Sequence, residues 1–377
     1  MKNSLLAVLI GFIITGCGGG SNESASIPPP VTEVKPVVAQ GSINRVDYNN
    51  NTVDVNGHAY MVERVEYGIQ PLSFTMLKPN MMVEVAMMAK SGAVVSVEPT
   101  IVGSVSSIHP DCKNFMVNGV TLAFTLDPQI ELGDWVMVSS LPQATADGLD
   151  YKVLSVIKIE QEDVAGQFEI EGRLSELDQN TKTFKLGTST TVLFSPDVIE
   201  DNAVLKNGQW VEVKGHMVNN EFTATEVEVE TYDDSDNDHE IEGIVTWVNS
   251  NKTEFELNAR GRFVINAQTR FEDGNKNHLV SGELVEVTAI NGVAKEIEFE
   301  NDFGGETGTW YEFERKGIVT AVYQDHFVLG GENYYLDAYT EFDDLLTVNT
   351  LNGQYVDIEG VIIDGKYVVR EIERENG

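Results

Sequence analysis

Apolar and polar residues alternate in short runs along most of the chain beyond residue 40, and turn residues separate the runs. Alternation with a period of two predicts strands that are buried on one face. Five of the runs open with a glycine and read GSINRV, GSVSSI, GRLSEL, GIVTWV and GIVTAV, starting at Gly41, Gly103, Gly172, Gly243 and Gly317. Because these runs recur every 62 to 74 residues, the sequence predicts five tandem copies of one structural unit.

Each unit continues with the same order of segments. A turn rich in Asn, Asp and Lys leads to a second short strand, as in the run TKTFKL that begins at Thr181. A glycine turn then precedes a strand such as WVEVKG after Leu205, and a last strand alternates apolar with acidic residues, as in TEVEVE and KEIEFE. One face of that last strand is expected to be buried, and the other to carry much of the negative charge.

Each unit therefore holds about five or six short antiparallel strands in some 60 to 70 residues, without a long helix. A small sheet that no helix covers protects its edges by closing on itself. We predict an all-β fold, in which a signal peptide and a flexible tether precede a tandem array of about five small antiparallel β-barrels similar in outline to the OB fold. A β-sandwich, and neighbouring units that share a sheet, are the alternatives.

The pattern divides the chain into nine segments. They are a signal peptide (1–16), a Gly/Ser/Pro tether (17–40), repeat 1 (41–101), repeat 2 (102–165), repeat 3 (166–231), an acidic linker (232–239), repeat 4 (240–300), a Gly-rich linker (301–311) and repeat 5 (312–377). The tether has no hydrophobic periodicity and contains three consecutive prolines. We expect it to be flexible first and then stiffened toward polyproline II.

The recurring G-[IV]-V opening, the L-x-x-G-x-x-V-E-V centre and the E-[IV]-E close resemble an uncharacterised bacterial family, the domain of unknown function 5666. The resemblance covers about residues 41–377 and is clearest in the last three units, whereas the first has Asn80 in place of the central glycine. Members of that family resemble this chain in having a lipoprotein signal, a glycine-rich tether and tandem copies. The family supplies no known catalytic residues.

The N-terminus has the pattern of an export signal. Lys2 precedes an apolar run from Leu5 to Ile14, which is too short to span a bilayer. The segment ITGC that ends at Cys17 resembles the bacterial lipobox, and this resemblance implies that Cys17 is acylated and anchors the protein by lipid. Gly18 follows the cysteine instead of an aspartate, which by resemblance favours the outer membrane, facing the periplasm or the cell surface. The alternative is a secreted protein in which Cys17 has no such role.

The strongly negative net charge limits the kinds of partner that the protein is expected to bind. Sixty Asp and Glu residues against 25 Lys and Arg residues give a formal charge of −35. Such a surface repels phosphate backbones, so nucleic acid is not an expected partner, whereas cations and basic protein patches are. Besides Cys17 the chain has one cysteine, Cys112. It is expected to be a small buried apolar residue, with an intermolecular disulfide as the alternative.

The acidic linker contains the one candidate metal site. Asp234, Asp236 and Asp238 alternate like the first ligands of a calcium loop. His239 stands where that loop has its glycine, and Val245 where it has a bidentate glutamate, so a solvated linker is the alternative. The six histidines are scattered without metal-ligand spacing, and no zinc site is expected.

One tryptophan is a candidate binding residue. Trp135 and Trp210 share a motif position with Leu284 and Tyr355, which predicts packed side chains. Trp247 occupies a position where other repeats have polar or small residues, so its ring is predicted to be exposed and able to stack on a glycan or a protein partner. Packing against a neighbouring unit is the alternative.

The sequence contains no G-x-S-x-G, Walker or G-x-G-x-x-G motif. We therefore expect a non-enzymatic, lipid-anchored envelope protein whose barrels form an extended binding or spacer array, since such repeats contact mainly their neighbours. Its expected partners are the membrane, through the N-terminal lipid, and an envelope protein or glycan, and no cofactor other than calcium is expected. The alternatives are a carbohydrate-active or other hydrolase with a site between barrels, and a calcium-dependent assembly or adhesion protein.

Overall fold

The computed structural model describes residues 35–88, 92–145, 148–187, 190–218, 221–232, 239–300 and 310–375. Within these ranges it has 28 β-strands and six short 3-10 turns and no α-helix. The prediction of an all-β fold is therefore confirmed. No helix in the described part of the chain is long and apolar enough to cross a membrane. Cys17, Asp234, Asp236 and Asp238 lie outside the described residues, so the predictions that concern them stay predictions.

The strands recur repeat by repeat, but the first strands of repeats 1, 2 and 4 begin at Val38, Ile101 and His239, before the predicted boundaries and, for Val38, inside the predicted tether. Repeat 1 contains β1 (Val38–Asp47), β2 (Thr52–Val55), β3 (His58–Tyr67), β4 (Gln70–Leu72), β5 (Met82–Met88) and β6 (Gly92–Val97). Repeat 2 contains β7 (Ile101–Ile108), β8 (Asn114–Val117), β9 (Val120–Ala123), β10 (Trp135–Thr145) and β11 (Gly148–Ile159). Repeat 3 contains β12 (Phe168–Asp178), β13 (Thr183–Leu186), β14 (Thr190–Leu193), β15 (Trp210–Val218) and β16 (Glu221–Glu230).

The last two repeats have the same order of elements. Repeat 4 contains β17 (His239–Val248), β18 (Glu254–Leu257), β19 (Gly261–Val264), β20 (Arg270–Glu272), β21 (Leu284–Ile290) and β22 (Val293–Phe299). Repeat 5 contains β23 (Glu312–Val322), β24 (His326–Leu329), β25 (Glu332–Tyr335), β26 (Glu341–Phe342), β27 (Tyr355–Ile363) and β28 (Lys366–Arg374).

Strand pairing within a repeat returns to its starting strand. In repeat 3, β12 pairs with β13, β13 with β14, β14 in parallel with β16, β16 with β15, and β15 with β12. Repeats 1, 4 and 5 have the same pairing order. In repeat 2, among the described residues, β9 pairs with β8 alone. A ring of pairings leaves few unpaired edges, which explains how these short strands avoid exposing their backbone.

The opening glycine of three repeats is required by a close contact. A Cβ atom on Gly41 would lie 2.0 Å from the Asn56 amide oxygen, and one on Gly243 would lie 2.4 Å from the Asn258 amide nitrogen. The Asn258 side chain accepts a hydrogen bond from the Ile244 N–H and donates one to the Glu242 carbonyl. Because the asparagine fills the space of a side chain, only glycine fits opposite it.

The repeats are not five separate sheets. The start of β1 pairs in parallel with the start of β17, which joins repeats 1 and 4, and β7 pairs with β12, which joins repeats 2 and 3. Three sheets of twelve, ten and six strands result. The alternative of shared sheets thus holds for four repeats, and residues 36–377 form one compact unit. Since repeat 1 pairs with repeat 4, the arrangement differs from the extended row that we expected.

The long hairpin of β10 and β11 connects the repeats. Leu141 packs with Met82 of repeat 1 and with apolar residues of repeat 4. Leu149 packs against the Trp247 cluster, which belongs to repeats 4 and 5. The Tyr151 hydroxyl donates a hydrogen bond to the Glu171 carbonyl of repeat 3. This hairpin therefore contacts all four of the other repeats.

Cys112 is not buried as the sequence predicted. It is an exposed free cysteine in the turn between β7 and β8, with φ of 56°. Cys112 lies in a polar turn at the surface and not in an apolar strand, which explains its exposure.

Candidate functional site: a glutamate cleft between three repeats

The site begins with the acidic face of β16. Val227 is fully buried in the repeat 3 core, so the neighbouring Glu226 and Glu228 point to the opposite face of the strand. The sequence predicted this alternation of apolar and acidic residues. Repeats 4 and 5 carry similar carboxylates on their last strands, but in repeat 3 parts of repeats 1 and 2 lie against this face.

A cleft of about 550 Å³ separates these three repeats. Repeat 1 contributes the turn between β3 and β4 and the segment 97–99, and repeat 2 contributes the end of the 3-10 turn Gln161–Val164. The charged side chains that line the cleft are six glutamates and one lysine, namely Glu98, Glu169, Glu212, Glu226, Glu228, Glu230 and Lys214. We call this site the glutamate cleft. Its strong excess of carboxylates predicts affinity for cations.

Lys214 is the internal counter-ion of the cleft. Its Nζ lies 2.5 Å from Glu212 Oε1 and 2.9 Å from Glu226 Oε1. Burial lowers the pKa of Lys214, but Glu212 and Glu226 outweigh it and hold that pKa above its ordinary value. The ammonium therefore stays charged and pairs with two of the six carboxylates, whose combined charge it neutralises only in part.

Glu169 is the deepest carboxyl group of the cleft. Only 1% of the residue is exposed, and the Tyr67 hydroxyl donates a hydrogen bond to its Oε2. Its other oxygen, Oε1, has no hydrogen-bond partner among the described residues. Burial and the nearby Glu212 raise the pKa of Glu169 well above its ordinary value. An unsatisfied buried oxygen is costly and marks a place for a donor.

Two further carboxyl groups of the cleft, Glu98 and Glu228, also resist ionisation. Burial and the Glu171 charge raise the pKa of Glu98 well above its ordinary value. Burial and the Glu230 charge raise the pKa of Glu228 to about 7. In the described residues, Glu98, Glu169, Glu228 and Glu230 form no ion pair with a lysine or arginine. Near neutral pH, part of these carboxyl groups are therefore neutral because they bind protons instead of cations.

The same side chains include a metal-like triad. Glu212, Glu226 and Glu228 each place one oxygen within 4.8 Å of the others, and so do Asp343, Glu371 and Glu373 in repeat 5. Carboxylate oxygens are the ligands of hard cations such as calcium. In the cleft, however, the Lys214 ammonium already lies against two of the three carboxylates. A metal ion at this triad has to displace or repel that ammonium.

A second set of buried charges holds repeats together. Arg260 of repeat 4 forms an ion pair with Glu171 of repeat 3, and the Trp210 indole donates a hydrogen bond to the same carboxylate. Asp337 of repeat 5 lies 2.7 Å from Arg173 of repeat 3. These charges neutralise one another across the interfaces, as buried charges must. They therefore act as structural contacts between repeats.

Trp247 is not the exposed residue that the sequence predicted. Only 1% of it is exposed, and it packs against Val361 and Val368 of repeat 5. The Arg262 guanidinium lies 4.8 Å from its ring centroid, as in a cation–π contact. The alternative of packing on a neighbouring unit is correct. The position of Trp247, which is polar or small in other repeats, lies at the interface between repeats 4 and 5. Trp210 is buried, as predicted.

Sequence reasoning missed the cleft because its residues come from three repeats. Tyr67 and Glu98 lie in repeat 1, Val164 in repeat 2 and Glu169 in repeat 3, and these residues converge only after folding. One signal was present in the sequence. Lys214 is the only basic residue at its place in the VEV motif, where the other repeats have Ala86, Ser139, Thr288 and Glu359. A single lysine in an acidic face is a sign that the carboxylates there are crowded and need a counter-charge.

The comparison with protein families agrees with the repeat pattern over the last three repeats. The model of a domain of unknown function (DUF5666) matches residues 158–228, 242–298 and 316–373. The comparison with curated proteins found no match. Among solved structures, one described as drosophila Unr CSD456 aligns over 55% of this chain and 96% of its own, with 12% identity and a TM-score of 0.16. The three matched segments are those in which the resemblance was clearest, and residues 158–373 hold three tandem copies of the DUF5666 domain.

Proposed function

We propose that this protein is a non-enzymatic, lipid-anchored binding protein of the cell envelope, in which five OB-like barrels pack together and a cationic ligand binds in the glutamate cleft. The observation that carries the proposal is the ratio of six carboxylates to one ammonium in a cleft of about 550 Å³. A bound cation would pair with carboxylates that now lack a partner, and paired buried charges cost far less than unpaired ones.

The volume and position of the cleft also support a binding role. Pockets for small ligands commonly occupy about 300–1,000 Å³ and lie between domains. The glutamate cleft has this size and lies where three repeats meet. The absence of known catalytic motifs from the sequence supports a function in binding instead of catalysis.

Cation binding is tested by isothermal titration calorimetry on the mature chain with Cys17→Ser, which removes the lipid without touching the cleft. Calcium chloride and spermidine are titrated separately at pH 8, where the carboxyl groups are most ionised. We expect saturable binding of at least one of the two. Failure of both cations to bind would refute the glutamate cleft as a binding site for small cations.

The lipid anchor is tested in cells. The ITGC segment that ends at Cys17 supports acylation of that residue, and acyl chains attached to one cysteine would hold the protein on a membrane. We expect the native chain to incorporate radiolabelled palmitate and to sediment with the outer membrane. A Cys17→Ser chain that still incorporates the label would refute the proposed anchor.

A further inference from the structure

We infer that the ligand of the glutamate cleft is a small organic polyamine, whose separate ammonium groups pair with the carboxylates that Lys214 leaves without a counter-ion. The inference rests on the proposed function and adds the chemical class of the ligand. It commits to an alkylammonium compound instead of a bare divalent metal ion.

The first argument is the lining of the cleft. Ile69, at the tip of the turn between β3 and β4, is 94% exposed. Val97, Pro99 and Val164 also line the space. A metal ion with its water ligands gains nothing from apolar side chains, whereas the methylene groups of a polyamine can pack against them.

The second argument is Lys214 itself. Its side chain is an alkyl chain that ends in an ammonium, and the ammonium lies between Glu212 and Glu226. The cleft therefore already holds one alkylammonium group, beside three carboxylates that each place an oxygen within 4.8 Å of the others. A divalent metal at the same triad would meet the positive charge of Lys214 at short range, which disfavours it.

The third argument is the set of acceptors that remain. Glu169 presents a buried oxygen without a hydrogen-bond partner, and Tyr67 fixes the orientation of its carboxyl group. Glu98, Glu228 and Glu230 line the same cleft without an ion-pair partner among the described residues. Several separate acceptors suit a ligand with several separate donors, because each ammonium carries strong charge-assisted hydrogen bonds.

Binding is expected to release protons. The groups that face the ligand are Tyr67, Glu98, Glu169, Glu212, Lys214, Glu226, Glu228 and Glu230. Burial and neighbouring carboxylates raise the pKa values of Glu98, Glu169, Glu212 and Glu228, the last to about 7. A carboxyl group must lose its proton before it pairs with an ammonium, so the affinity should increase from pH 6 to pH 8.

The experiment is calorimetry with spermidine and with calcium chloride on the mature Cys17→Ser chain and three variants of it. Glu169→Gln removes the deep carboxylate, and Glu228→Gln removes a partly exposed one whose loss leaves the core intact. Glu298→Gln is the matched control, because Glu298 faces Glu286 on the last hairpin of repeat 4, as Glu228 faces Glu212 in repeat 3, and lies outside the cleft. Thermal unfolding verifies that each variant folds.

We expect spermidine to bind, and each cleft variant to weaken that binding about tenfold, as the loss of one charged hydrogen bond predicts. Glu298→Gln should bind like the parent chain. Spermidine binding that Glu228→Gln leaves unchanged would overturn the inference. Calcium binding without spermidine binding would also overturn it, but would leave the proposed function standing. If a lysine-rich peptide binds and spermidine does not, the site takes a protein partner and the inference is wrong.

Discussion

At the scale of single residues, three of the five repeats share a contact between two residues that lie far apart in the motif. The opening glycine and the asparagine after the second strand touch in repeats 1, 2 and 4. Repeats 3 and 5 have Gly187 and Gly330 after that strand. The pattern of glycines was visible in the sequence. The steric reason for it was not, because the partner asparagine follows the neighbouring strand of the hairpin and meets the glycine only in the folded protein.

This contact predicts the effect of Gly243→Ala. The new Cβ atom would overlap the buried Asn258 side chain, whose hydrogen bonds to Ile244 and Glu242 hold it in place. We expect a loss of about 2–3 kcal/mol in the free energy of unfolding, measured with urea. Adding Asn258→Gly should restore part of the loss, because Asn258 has φ of 54°, which glycine adopts easily. A double variant less stable than Gly243→Ala would contradict this account.

At the scale of elements, the β10–β11 hairpin has a role that no repeat motif indicated. It is longer than the corresponding hairpin of repeat 4, and its extra length reaches the neighbouring repeats. The alternation of apolar residues predicted the base of this hairpin, where the strand that begins at Trp135 pairs with the strand that ends at Ile159, but not the extension beyond it. The sequence could not show that both faces of this hairpin are covered, because the covering residues are supplied by four other repeats.

Leu141→Ala tests this role of the hairpin. Leu141 is 2% exposed and packs with Met82, Ile244 and Leu284. Its truncation leaves a cavity between repeats and should cost about 2–5 kcal/mol in a urea melt. Hydrogen exchange should then speed up in repeats 1 and 4 as well as in repeat 2. The control is Leu132→Ala, a residue 67% exposed, which should change stability by less than about 0.5 kcal/mol.

At the scale of the whole molecule, the repeats depend on one another to different degrees. Repeat 5 has a six-stranded sheet of its own, whereas repeat 4 shares a twelve-stranded sheet with repeat 1. The repeat count and the strand order within a repeat were predictable, because both follow from local patterns. The pairing of β1 with β17 and the glutamate cleft were not, because they join residues that no sequence period relates.

Excised repeats should therefore differ in stability. We expect residues 312–375 alone to unfold cooperatively, at a temperature below that of the mature chain. Residues 239–300 alone should be less stable than repeat 5, because β17 loses its parallel partner and exposes an edge. Circular dichroism melts measure both. Equal melting temperatures for repeat 4, repeat 5 and the mature chain would show that the repeats are independent.

The stability of the whole protein should decrease as pH rises. Burial and neighbouring carboxylates raise the pKa of Glu228 to about 7 and that of Glu371 to about 8, and burial raises the pKa of Glu242 to about 7. Between their ordinary pKa of 4.5 and these values the folded state binds more protons than the unfolded state, so raising the pH favours unfolding.

The comparison is between melting temperatures at pH 5.5 and pH 8 at constant ionic strength. We expect the protein to melt at least about 5 °C higher at pH 5.5. The net charge of −35 acts in the same direction, because protonation relieves self-repulsion. A higher melting temperature at pH 8 would mean that these carboxyl groups ionise normally in the folded protein.

The parallel pairing of β1 with β17 also means that β1 must wait for its partner strand while the chain is synthesised. Val38 leaves the ribosome about two hundred residues before its partner His239, an interval of some 10–40 s at ordinary elongation rates. During that time the first repeat is complete in sequence but has a strand without its neighbour, open to proteases and to other nascent chains. A chain cut short before residue 239 would keep that open strand permanently, and quality control would recognise it as unfinished.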